Sequence, residues 1–503
     1  MKRTWKKGMA LTLTAAALAG SLAGCGNGKA NENTQTGGDS ASGLEEVTLT
    51  WYIPGNGPQA DTDKVEDAIY EYLKDDLNVR VNFVECDWGS YDDKVQMAIA
   101  SQEAFDLCYT AHWSNNFYNN VSKNAFLELN DLLDEYGQDL KKLIPEEGWK
   151  AATVNGNIYA VPNMQIWAYQ GAVGVETDVL EKYDFDLTTV KSLEDMEPLF
   201  EKIKADNPDI YPIVNCGPAE LLNNYQNTLG FEELAGSKIP GALVYGDDEM
   251  KVVNQFELPQ VQDFFQMMYE WNQKGYFRSD SATVTDENMD IQAGKSVSKL
   301  TSTYKPGVET DTKAKTGKDF TYQQIGTAHL STSSITAALT AVSRTSKNPE
   351  RAMMFLNRVN TDPELYNLIC FGIEGVHYTK EGNYAIPVEN SAYNPNQDWV
   401  YGDQFNALYR EGQGENDWEL TEEINNSAEP SEALGFSFDS TSVQTQLASV
   451  SAVVDEYYSS LATGVVNPEE VLPEFLNKLE QAGCNDLIAE CQKQLDEWVA
   501  ENK

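Results

Sequence analysis

Basic residues are scarce in this chain: 36 Lys and Arg stand against 79 Asp and Glu over 503 residues. A net charge of −43 excludes a nucleic-acid binder, because phosphate contacts need Lys and Arg. It also excludes a peripheral grip on anionic lipid, which would repel the protein. Histidine occurs only at His112, His329 and His377, too few for a histidine metal cluster. The seven cysteines form no CxxC and no Cys/His ligand spacing, and are too sparse for a disulfide scaffold. Cys86 with Cys108, or Cys484 with Cys491, are placed to bridge; buried free thiols explain them as well. Catalytic signatures are missing too. There is no GxSxG elbow and no HExxH. "AGKSV" carries the end of a phosphate loop, but Met289 stands where its first glycine belongs. "DTD" at Asp61 lacks the rest of a calcium loop. Nothing asks for a cofactor, and no tandem repeat of fixed period exists.

What is present starts with the leader. Lys2, Arg3, Lys6 and Lys7 precede the apolar run "MALTLTAAALAGSLAG", which is too short and too rich in small residues to span a membrane. "SLAGC" resembles a bacterial lipobox, so residues 1–24 read as a lipoprotein signal peptide and Cys25 as the lipidated residue. Removing the leader takes four cations and no acid, leaving a charge of −47. Residues 25–43 hold almost no apolar side chain and read as a flexible leash. No later run of about 18 apolar residues exists, so the lipid is the only membrane attachment expected.

The body alternates strand and helix signals. "VTLTWYIPG", "VRVNFVEC" and "FDLCYTA" read as strands, with helices in "TDKVEDAIYEYLKDDLN" and "YDDKVQMAIASQE" between them. This βαβαβ rhythm belongs to a parallel sheet with helices on its faces. Ligands of such sheets sit beyond the carboxyl ends of the strands, where "WYIPGN", "CDWGSY" and "HWSNNFY" fall. "FLELNDLLDEYGQDLKKLIP" reads as one helix. A second α/β pattern begins at "TDVLEKYDFDL". It includes a strand at "YPI" and an amphipathic helix in "ELPQVQDFFQMMYEWNQKGYF". From about Thr441 the chain is helical.

The lipobox, "LTWYIPG", "FDLCYTAHW", "GNIYAVPN", "TDVLEKYDFDLTTVKSLEDMEPLFEKIK", "YEWNQKGYF" and "NPERAMMFLNRVNTDPELYNLICFGIEGVHY" occur in an order that resembles the extracellular solute-binding lipoproteins of bacterial ABC importers. Within that family the chain is similar to the large Gram-positive subset with an extended C-terminal region. The likeness covers residues 45 to 500. It implies an α/β, two-lobed periplasmic-binding-protein-like fold of class II type, with lobes joined by hinge strands and an extra C-terminal helical region. Lobe 1 is expected at 44–162 plus about 326–370, and lobe 2 at 163–325 plus about 371–438. Residues 439–503 are expected as helices packed on the lobes. The resemblance implies capture of an oligosaccharide or sugar-like solute by hinge closure, and delivery to ABC permease subunits. It implies a monomer, no enzymatic activity, and a place on the outer face of the cytoplasmic membrane.

Sugars offer C–H faces that aromatic rings cover and hydroxyls that amides and carboxylates bind. Trp88, Trp113, Trp167, Tyr304 and Trp399 are candidates for the first role, Trp113 foremost because it follows a strand end. Asn115 beside it, Asn163 and Gln165 in the crossover, Tyr211 and Asn215 in "YPIVN", and Glu374 between glycines are candidates for the second. Each has a structural alternative: turn, hinge or helix cap. Lys305 would meet a hydroxyl or an acidic sugar, or stay solvated. The rival reading is a surface polysaccharide hydrolase using a carboxylate pair such as Glu85 and Asp87. A structural adhesin would bind no small molecule.

Overall fold

The alternating apolar positions of the first strands are buried where a sheet centre requires it. The structure is a computed structural model describing residues 43–216, 220–284 and 286–502. The leader, Cys25 and the linker through residue 42 lie outside the described residues. In chain order the strands that build the site are β1 (Val47–Gly55), β2 (Val79–Asp87), β3 (Leu107–Thr110), β4 (Ala160–Pro162), β5 (Ala172–Glu176), β6 (Ser298–Thr301), β7 (Phe320–Gln324), β8 (His329–Leu330), β9 (Leu339–Val342) and β10 (Glu429–Pro430).

The first sheet has the order β2-β1-β3-β9-β4. β1 pairs parallel with β2 and β3, and β9 runs antiparallel between β3 and β4. Helices α1 (Thr62–Leu73) and α2 (Trp88–Ser101) are the crossovers. In α1, Val65, Ile69 and Leu73 recur every four residues and are fully buried, which puts one apolar stripe on the sheet. The expected helix "FLELNDLLDEYGQDLKKLIP" breaks at Gly137 into Asn130–Tyr136 and Gln138–Leu143.

The second half has a three-stranded antiparallel sheet, β6-β5-β7. Its core gathers Val173, Val175, Phe200 and the inner face of α3 (Pro259–Gln273), namely Phe264, Phe265, Met268 and Trp271. The expected "YPI" strand reduces to a single bridge between Tyr211 and Ser296, since Pro212 has no N–H to continue a ladder. The tail forms α4 (Gln444–Ala462), α5 (Pro468–Gln481) and α6 (Cys484–Asn502). Val450, Tyr458, Leu461, Phe475 and Leu479 complete this second core. Gly464, at φ +64°, lies so close to α3 that a Cβ would sit 2.1 Å from the Met268 carbonyl oxygen.

One expected boundary is corrected. Residues 371–434 belong with the first core, not the second: Phe371, Tyr378, Tyr393, Tyr401, Tyr409 and Trp418 are buried there. Tyr401 meets Trp51 edge-on at 6.1 Å, and Gln397 donates to the Pro54 carbonyl at 2.7 Å. The aromatic content of this stretch is what seats it on the end of β1.

Three stretches connect the two cores, and they are tied side by side. Tyr169 and His329 exchange backbone hydrogen bonds of 2.9 and 3.0 Å, and β8 pairs parallel with β10. Asn425 adds side-chain bonds to the first stretch, donating to the Gln165 carbonyl and accepting from the Trp167 and Ala168 amides. All six described cysteines are buried free thiols.

Candidate functional site

A cavity of about 400 Å³ opens between the two halves, with the connecting stretches as its floor. Its first wall is built by β3. This strand is buried throughout and ends in a tight turn centred on Asn115, at φ +42°. The Asn115 side chain donates to the Tyr109 carbonyl at 2.8 Å, and its amide donates to Asp92 at 2.9 Å. Asn120 donates back to the Asn115 carbonyl at 2.9 Å. The polar groups of Asn115 are thereby occupied, and Trp113 is left projecting at the tip of the turn.

Trp113 is 51% exposed. Its indole N–H donates to the Ala337 carbonyl at 2.9 Å, the same oxygen that accepts from Tyr109 at 2.8 Å. Trp88, the first residue of α2, stacks on Trp113 and on Trp399, with ring centroids 5.6 Å away in both cases. Tyr109 meets all three indoles edge-on. Pairs of this geometry contribute roughly 0.5–1.5 kcal/mol each beyond the area they bury, so the array is a rigid apolar plate. Trp399 is held from behind by its neighbour Asp398, which accepts from Arg410 and Gln404 at 2.8 Å each. Burial would raise the Asp398 carboxyl, but Arg410 and Gln404 outweigh it and hold it to about 2.

The opposite wall comes from the second half. Along β6, Ser298 and Leu300 turn inward, while Lys299 and Thr301 alternate with them and face the cavity. Thr303, Lys305, Glu287 and Tyr322 also line it. Tyr322 shares a 2.7 Å hydrogen bond with Thr312, and burial pushes its hydroxyl up to about 12. Lys299 is paired with Glu287. Gln165, Ile166 and Tyr169 supply the floor.

Of the residues singled out in the sequence, Trp113, Trp399 and Gln165 line the cavity, and Trp88 backs the plate. Others are brought elsewhere. The buried Asn163 side chain donates to the carbonyls of Trp399 and Val400 at 3.1 and 2.7 Å. Trp167 is buried against Gly148, with its N–H on the Asn163 carbonyl. Asn115 is consumed by its own turn. Asn215 donates to the Ala462 carbonyl at 3.2 Å and accepts from the Leu221 amide, tying α4 to its lobe. Tyr211 packs under the Lys204 ammonium, 5.6 Å from the ring. Glu374 is exposed in a turn where it bridges Tyr378. Tyr304 hydrogen-bonds Gln170 through its backbone, and its neighbours Thr303 and Lys305 reach the cavity in its place. His112 is enclosed, and desolvation pushes its ring down to about 4. His377 accepts from the Ile373 amide and faces Asp61 at 3.3 Å. Sequence reasoning missed Tyr109, Lys299, Thr301 and Tyr322. The alternation in "SVSKLTST" carried the signal for the middle two.

An open cleft between two α/β halves, floored by three strapped connections, defines a two-lobed ligand-capture protein. Residues 67–370 match the family described as bacterial extracellular solute-binding protein, and the chain belongs to it. Residues 432–500 match a domain of unknown function, DUF3502. Over its whole length the chain is 27% identical to the whole of a carbohydrate ABC transporter substrate-binding protein of Streptococcus pneumoniae. It is 26% identical over 212 residues, 41% of this chain and 38% of the relative, to the lipoprotein LipO of Bacillus subtilis. Among solved structures, the N-glycan transport solute-binding protein of S. pneumoniae superposes with a TM-score of 0.81 at 24% identity, covering 91% of this chain and 100% of that one. Its complex with Man5GlcNAc gives 0.72 at 25% identity over the same shares.

Proposed function

We propose that this protein captures an oligosaccharide between its two halves and delivers it to an ABC permease, tethered to the outer face of the cytoplasmic membrane by lipid on Cys25. The observation that carries the reading is the unlike pair of walls. An indole plate faces a wall of hydroxyls and lysines across about 400 Å³. A pyranose has an apolar C–H face and a polar rim, and it satisfies both walls at once. The three strapped connections let the halves approach as bodies, so affinity comes from contacts made in the closed form. Similarity to a carbohydrate transporter subunit along the full chain supports the cargo class, and the N-glycan-binding relative makes oligomannose glycans the first cargo to try. Similarity to a lipoprotein supports the anchor.

Calorimetry with a panel of Man5GlcNAc, kestose, milk oligosaccharides, peptides and amino acids tests this. Heat from at least one oligosaccharide is expected; binding confined to peptides or amino acids would overturn the reading. Release of reducing ends from a bound sugar would favour the hydrolase alternative. Within the cavity, the Glu287 carboxylate is already committed to Lys299.

A further inference from the structure

The charge of the cavity runs against the charge of the chain. Acids outnumber bases more than twofold overall. Around the cavity, Lys299, Lys305 and Lys315 face only Glu287 and Asp311. The plate side (Trp113, Trp399, Ser334 and Ala337) carries no charge at all. The cations are therefore concentrated on the wall that meets the rim of a stacked sugar.

Their partners are unevenly distributed. Lys299 is nearly buried and its ammonium is satisfied by Glu287. Lys305 is 26% exposed, and the nearest carboxylate oxygen, Asp311 Oδ2, is 3.8 Å away, beyond hydrogen-bonding reach. The other acids whose fields it feels are engaged elsewhere. Asp398 is held by Arg410 and Gln404, and Asp417 accepts from the Gly414 amide at 2.9 Å. Lys315 is exposed. A partly desolvated ammonium without a close acceptor is costly, and an anionic oxygen on a ligand makes the charge-assisted bond that relieves it. A neutral hydroxyl makes a weaker one.

We propose that the cargo is an acidic oligosaccharide: one sugar ring lies on the Trp113–Trp399 plate and its carboxylate meets Lys305, with Lys315 adding field. The proposal rests on the oligosaccharide reading and narrows it to one chemical class.

A glycan array carrying neutral, sialylated and uronate-containing oligosaccharides, probed with the labelled protein, separates the two. The strongest signals are expected on carboxylate-bearing glycans. Titration of the best of these and of its methyl ester should show at least tenfold tighter binding of the free acid. Lys305→Met should abolish that preference, so that the variant binds the free acid and its methyl ester equally. Its cavity-facing position and loose ion pair make it a variant that folds, and an unchanged Tm checks this. Strongest binding to neutral glycans, or equal affinity for acid and ester, would overturn the acidic-cargo proposal while the oligosaccharide reading stands. Silence of every glycan would overturn both.

Discussion

Glu232 links the two halves, and its ionisation gives a prediction whose size follows from the structure. The side chain is buried, and its carboxylate accepts from the Ser431 hydroxyl just past β10. Burial pushes the carboxyl from the ordinary 4.5 up to about 7; the Ser431 bond pulls against this and the charge of Glu432 adds to it. Because the folded-state value lies above the unfolded one, the stabilising contribution is complete below pH 4.5. It is lost as pH rises through about 7. Integrating between those two values, ionising this one group costs about 2 kcal/mol more at pH 8 than at pH 5.5. Glu232→Gln keeps the shape and removes the titration. With an unfolding entropy of about 2.1 cal/mol/K per residue over roughly 460 folded residues, the scale is about 1 kcal/mol per degree. The Tm of the Gln variant minus that of the wild type should therefore be about 2 °C more positive at pH 8 than at pH 5.5. Differential scanning calorimetry of both proteins at both pH values measures this, and every other titrating group cancels in the double difference. An unchanged or opposite difference would refute the claim that the carboxyl is held protonated at the connection.

Further outcomes follow from other parts of the molecule. Trp113→Ala should weaken oligosaccharide binding tenfold or more, about 1.4 kcal/mol per decade, with a Tm loss of only a few degrees from the two ring contacts it gives up; calorimetric titration and a melt distinguish the two effects. Gly464→Ala forces a Cβ onto the Met268 carbonyl and should cost about 2–4 kcal/mol. Gly57→Ala, at φ +80° in open space, should cost only about 1 kcal/mol, and a Tm loss as large as that at Gly464 would show that backbone conformation, not crowding, dominates. Protein lacking the leader and Cys25 should show six thiols to Ellman's reagent in denaturant and close to none when folded, since all six are buried and burial pushes Cys108 up to about 12. A pair missing after denaturation without reductant would contradict the free-thiol arrangement.

The parts of this molecule that were legible in the sequence are those set by neighbours a few residues apart. The βαβαβ opening, the α3 stripe and the tail helices are periodic patterns, and the structure has them. Trp88 and Trp113 were singled out because strand ends in such sheets point at ligands, Trp399 only as a loop aromatic, and the structure brings all three rings together. The crossover was less legible. Asn163, Gln165 and Trp167 were all candidates for ligand contact, yet Gln165 and Ile166 line the cavity while the others turn inward. That stretch is not a free strand: Asn425, some 260 residues later in the chain, sets its path. Residues 371–434 were placed in the wrong half for the same reason. Nothing local says that Gln397 reaches Pro54, 343 residues away.

The interleaving of the two cores also governs when this protein can acquire its shape. The first draws on residues from Leu49 to Ala168 and again from Leu330 to Leu434, and the second on residues from Val173 to Ile325 and again from Val450 to Cys484. Neither is complete until nearly the whole chain is present. The contacts that close them span hundreds of residues, the arrangement that slows folding most. A chain emerging from its N-terminus thus stays unfinished until its last helices arrive. Truncating α4 and α5 should leave a soluble-length polypeptide with an open second half rather than a shorter working receptor.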